Sequence, residues 1–79
     1  VDDPVNNPPH YNTGSIQCID AMKAMAEGCE LNISNHAQYC WQNAFKYLWR
    51  FPYKNAGLQD LRKCRFYLDR LISEIEDLT

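Results

Sequence analysis

The chain reads as an all-α protein, a small three-helix bundle with a helical hairpin and an extended N-terminal arm, on three observations. Apolar residues recur at steps of three and four over most of the chain, prolines cluster at its start, and no stretch alternates with a period of two. With 79 residues there is room for one domain and a modest core, so self-association into a homo-oligomer is the expected remedy. The arm covers residues 1–14, where Pro4, Pro8, Pro9 and Gly14 punctuate the chain, and the helical domain covers residues 15–79.

The first helix is predicted from Ile16, Ile19, Met22 (or the stem of Lys23) and Ala26. Thr13 or Ser15 is its expected cap, and Gly28 its expected end in the manner of a glycine just past a helix C-terminus. Ser34 or Asn35 can cap the second helix, because either side chain accepts from an unpaired N–H of the first turn. Its apolar stripe is Ala37, Cys40/Trp41, Ala44, Leu48 and Phe51, and Pro52 stops it. The third helix starts near Gly57 or Leu58. Its seam of Leu61, Cys64, Leu68, Leu71, Ile75 and Leu78 is the most regular pattern in the chain. The second and third helices should fold back on each other across the turn from Pro52 to Gly57.

A net charge of −2 conceals an asymmetry: residues 43–70 hold seven of the eight Lys/Arg against Asp60 and Asp69. That block makes a local cationic surface suited to an anionic ligand. Double-stranded DNA is not the expected partner, since the block is short, its flanks are acidic and no exposed recognition helix stands out. The longest apolar runs fall far short of a membrane span, and nothing resembles a signal peptide, so a membrane is not expected and a reduced, intracellular setting is. Cys18, Cys29, Cys40 and Cys64 form no CxxC pair and the two histidines lie far apart, so neither a metal site nor another cofactor is expected.

The segment from Asn43 to Arg50 carries the most chemistry. Helical spacing sets Asn43, Lys46 and Arg50 on one face, two cations and an amide that suit a phosphate-bearing ligand. If the polar stripes of the two helices share a side of the hairpin, Lys46 and Arg50 come near Asp60 and Lys63 at the turn. Tyr47, Trp49 or Tyr67 would then be available to stack on a base. The plainer reading is a solvated face, an ordinary surface ion pair between Arg50 and Asp60 or Asp69, and aromatic residues serving the core or a subunit interface. In the arm, His10-Tyr11 is either an apolar plug pinned to the bundle or a device that brings His10 over a pocket for proton transfer. No GxxxxGK[ST] segment occurs, which excludes a P-loop kinase.

Pro9-His10-Tyr11, Gly14 with Ile16-Gln17 and Ile19-Asp20, the Asn43 to Arg50 run, and Asp60-Leu61-Lys63 followed by Tyr67-Leu68-Asp69 together resemble the small phage family DUF3310, or SaV-like. The similarity spans residues 8–72, and the family is similar to a nucleotide kinase of short-tailed coliphages that lacks a Walker-type loop. The resemblance implies a phage protein of the host cytoplasm that binds nucleotides. It also makes His10, Tyr11, Asn43, Lys46, Tyr47, Arg50, Asp60 and Lys63 the matching motif residues. The resemblance does not assign their roles; by side-chain chemistry His10 and Asp60 are the candidate catalytic groups and the other six the candidate nucleotide contacts. Three readings stay open: a nucleoside monophosphate kinase-like phosphotransferase, a non-catalytic oligomer that holds a nucleotide or signal molecule, and an adaptor that docks on a host protein through exposed aromatics such as Trp49, Phe51 and Tyr53.

Overall fold

A computed structural model describes residues 15–53 and 55–78. The described chain is entirely helical: α1 (Cys18–Glu27), α2 (Asn35–Arg50), a short 3₁₀ turn (Phe51–Tyr53) and α3 (Gly57–Glu76). The α2 and α3 helices pack along each other as a hairpin, and α1 lies against α2. The proposed arm, with His10 and Tyr11, falls outside the described residues.

Helix ends follow local chemistry, with two departures from expectation. Ser34 caps α2, its side chain accepting from the N–H of Ala37 at 3.0 Å. The same hydroxyl donates to Glu74 Oε1 at 3.0 Å, tying the start of α2 to the end of α3. By contrast, α1 begins at Cys18, later than predicted. Gln17 holds its N-cap position with no side-chain bond, so Ser15 is not the cap, and Thr13 lies outside the described residues. Gly28 does end α1, but at φ −84 and ψ 0, in ordinary backbone space. Its N–H reaches the Ala24 carbonyl at 3.1 Å, so the helix closes without a left-handed residue.

Pro52 cannot donate a backbone hydrogen bond, and the chain tightens into the 3₁₀ turn directly after Arg50. Gly57, the first residue of α3, lies beneath this turn. A Cβ placed there would meet the Phe51 carbonyl oxygen at 2.6 Å, so the close return of α3 depends on glycine.

The core is made of small side chains. Among the described residues the buried apolar ones are Cys18, Ala37, Cys40 and Ala44, which lets the helices approach closely. Part of the predicted seams therefore faces elsewhere: Leu48 is 53% exposed, Leu68 on α3 and Leu78 just past its end are also exposed, and Leu61, Cys64, Leu71 and Ile75 are half-buried. The completely buried residue of α3 is a charged one, Asp60. The charged stripe of α3 is thus not a separate solvent face, because its members Asp60 and Tyr67 turn toward α2, onto Arg50, Tyr39 and Tyr47.

Candidate functional site at the hairpin bend

The last two turns of α2 and the first three of α3 meet where the chain reverses. Arg50, in the final turn of α2, points its guanidinium at Asp60, in the first turn of α3. The two form a forked ion pair, Nε to Oδ2 at 3.2 Å and Nη2 to Oδ1 at 3.4 Å. Asp60 is completely buried and the Arg50 side chain 13% exposed, so this is not the surface pair that the sequence suggests as the plainer reading. A carboxylate in the first turn of a helix also meets the positive end of the helix dipole, which adds to its stabilisation. The sequence named Asp60 or Asp69 as partners for Arg50; the structure selects Asp60.

Tyr47 is the centre of the cluster. The Arg50 guanidinium carbon lies 4.7 Å from its ring centroid, Lys46 Nζ 5.0 Å and Lys63 Nζ 5.5 Å. Cations from both helices thus gather around one ring at distances where the ring quadrupole attracts them. Three like charges so close repel one another, and Asp60 compensates one of them. Neither Lys46 nor Lys63 has a carboxylate within ion-pair distance among the described residues. Positive charge is thus left in excess among the described residues, an arrangement chemically suited to an anion that accepts charge-assisted hydrogen bonds.

A row of tyrosines runs from this point along the hairpin. Tyr67 of α3 stacks on Tyr47 at 5.9 Å between centroids, the planes 14° apart, and meets Tyr39 edge-on at 5.7 Å. A hydrogen bond to Tyr39, with smaller contributions from desolvation and neighbouring groups, raises the pKa of the Tyr67 phenol above the ordinary tyrosine value. Tyr39 is a site residue that the sequence reading does not single out. Its signal is the spacing Tyr39, Asn43, Tyr47, which repeats every four residues on one helical face.

Asn43 is half-buried, and its side-chain nitrogen donates to the Tyr39 carbonyl of its own helix at 2.9 Å. That bond spends one of its donors locally. Trp49, a sequence candidate for base stacking, belongs elsewhere: its ring sits 5.7 Å from Phe45, away from Tyr47, and its Nε1 is buried without a hydrogen-bond partner. Of the predicted site residues, Asn43, Lys46, Tyr47, Arg50, Asp60 and Lys63 therefore converge at the bend or on the face leading to it.

Cys18 at the start of α1 lies within electrostatic reach of this cluster. Burial pushes its thiol pKa up, and Lys46 and Arg50 oppose the rise without cancelling it. Cys64 is likewise raised by burial. All four cysteines are free thiols. Among the described residues, no group of three or more His, Cys, Asp or Glu side chains is placed to hold a metal ion, and no helix is long and apolar enough to cross a membrane.

Comparison with protein families finds that residues 5–69 match DUF3310, described as a protein of unknown function. Neither the curated proteins nor the solved structures provide a match.

Proposed function

The chain belongs to the DUF3310 family, and we propose that its hairpin bend binds the phosphate of a nucleotide, as a phage protein acting in the host cytoplasm. The phage setting and the choice of a nucleotide rest on the sequence resemblance; the site supports a phosphate-bearing anion beside an aromatic ring. The observation that carries it is the gathering of Lys46, Arg50 and Lys63, from two helices, around the ring of Tyr47. A solvated helix face spreads its cations outward, whereas these crowd one aromatic surface. In the proposed complex Lys46 and Lys63 neutralise phosphate oxygens. Arg50, oriented by Asp60, supplies a fixed positive field behind them, and the Tyr47–Tyr67 pair offers an aromatic edge to the base.

Binding is favoured over phosphoryl transfer by the environment of Asp60. A general base must reach the proton it removes, and here both carboxylate oxygens engage Arg50 in a fully buried position. Transfer chemistry would require that pair to open, or His10 to take the role.

The test is a thermal-shift panel of nucleoside mono-, di- and triphosphates with the full chain. A specific nucleotide should raise the melting temperature, and it should fail to do so after Lys46→Ala or Lys63→Ala. No shift with any nucleotide, or shifts in both variants as large as in the wild type, refutes the site. Isotope transfer from a nucleoside triphosphate to a deoxynucleoside monophosphate then separates a kinase from a binder.

A further inference from the structure

Among the described residues, one line of mostly apolar side chains along α3 is left largely exposed. Leu58, Leu61, Arg65, Leu68, Ile72 and Ile75 follow one another on α3 at steps of three and four, the heptad spacing of paired helices. Leu58 is 63% exposed, Leu68 45% and Ile72 49%, while Leu61 and Ile75 are half-buried. The α2 helix meets α3 on the side of Asp60 and Tyr67, through Arg50, Tyr39 and Tyr47, and α1 packs mainly on α2. A small domain whose largest fully buried side chains are Asp60, Cys18 and Cys40 has left much of its apolar area in reserve.

Charge along the same helix identifies the occupant. The first half of α3 carries Arg62, Lys63 and Arg65 beside an Asp60 already paired with Arg50, whereas the second half carries Asp69, Glu74 and Glu76 against Arg70. A parallel copy would set like charges side by side. An antiparallel copy sets the basic half of each helix on the acidic half of the other.

We propose that α3 pairs antiparallel with α3 of a second copy of this chain, through the line from Leu58 to Ile75. Register follows from matching line residue to line residue. Leu58 then faces the partner subunit's Ile75, Leu61 faces the partner subunit's Ile72, and Arg65 lays its stem on the partner subunit's Leu68. In this register Arg62 lies beside the partner subunit's Asp69, and the two-fold axis repeats the contact. The nucleotide proposal and this one are independent, because Leu68 and Ile72 take no part in the bend cluster.

Sedimentation of the full chain over a range of concentrations, with helicity checked by circular dichroism, tests the pairing. The wild type should have the mass of two copies or an even multiple, and Leu68→Lys or Ile72→Lys should dissociate it with helicity kept. Arg62→Glu and Asp69→Arg, both on exposed positions, should each weaken association about tenfold, since the dyad doubles every altered contact. Combining the two should restore it, which an unspecific apolar association would not do. A monomeric wild type, an unchanged mass in the Leu68 and Ile72 variants, or failure of the combined charge exchange to restore association overturns the proposal.

Discussion

Arg50 and Asp60 close the hairpin from its two sides, a forked pair with Nε to Oδ2 at 3.2 Å in which the carboxylate has no exposure to solvent. Ten residues separate them in sequence, with a proline and a glycine between. The pair therefore fixes how the second helix leaves the bend, and it also orients one of the cations at the proposed site. Stability and binding meet in the same contact.

Removing one partner of such a pair strands a charge, which costs more than the intact pair contributes. Asp60→Ala should destabilise the fold by about 3 kcal/mol in urea unfolding. The corresponding cycle with Arg50→Ala should show strong coupling, with the double variant less impaired than the sum of the single ones. Additive losses would mean that the two side chains do not act as a unit.

Gly57→Ala should lower the melting temperature, because the new methyl group meets the backbone oxygen of Phe51 at 2.6 Å. A backbone atom cannot swing away as a side chain does, and overpacking of this kind costs about 1–3 kcal/mol. Gly28→Ala provides the contrast: its nearest contact, Ala24 O at 3.6 Å, is ordinary, so that variant should melt close to the wild type.

Ser34→Ala removes the cap of α2 and the bond to Glu74 together. A loss of about 1 kcal/mol is expected from the cap alone. Glu74→Gln keeps an acceptor at the same place and should cost less, as judged by denaturant midpoints.

Tyr67 should titrate above the ordinary tyrosine range, because its hydrogen bond to Tyr39 favours the neutral phenol. A folded-state pKa raised above the unfolded value stabilises the fold fully below the unfolded pKa. This contribution is lost as pH rises through the folded pKa. Tyrosinate absorbance in Tyr39→Phe should show that Tyr67 ionises at lower pH than in the wild type. An unchanged titration would remove the hydrogen bond as the cause.

Alkylation followed by mass spectrometry should modify Cys29 in the native protein well before Cys18. Cys29 is partly exposed, whereas Cys18 is 1% exposed with its thiol pKa raised by burial. Denaturant should abolish the difference.

Much of the architecture was readable from local chemistry. Pro52 and Gly57 bracket the bend, Ser34 marks the start of α2, and spacing set Asn43, Lys46 and Arg50 on one face of a helix that meets Asp60 and Lys63. The start of α1 was less legible, because its N-cap position holds Gln17, which makes no side-chain cap bond. Among the three aromatics offered for stacking, Tyr47, Trp49 or Tyr67, the sequence could not separate Trp49 out, because aromatic character says nothing about side of helix; two residues beyond Tyr47 its ring turns to Phe45 instead.

Sequence by itself determined that the chain forms helices, where they break, and which cations share a face, since periodicity, caps and proline act within a few residues. Only the tertiary structure decided that the deepest position of α3 belongs to Asp60 and that Leu48 and Leu68 stay exposed. The physical reason is that rotation of one helix against another minimises the whole interface. A forked ion pair, small side chains at the contact and a stacked pair of tyrosines set that rotation, and no apolar pattern on either helix alone records it.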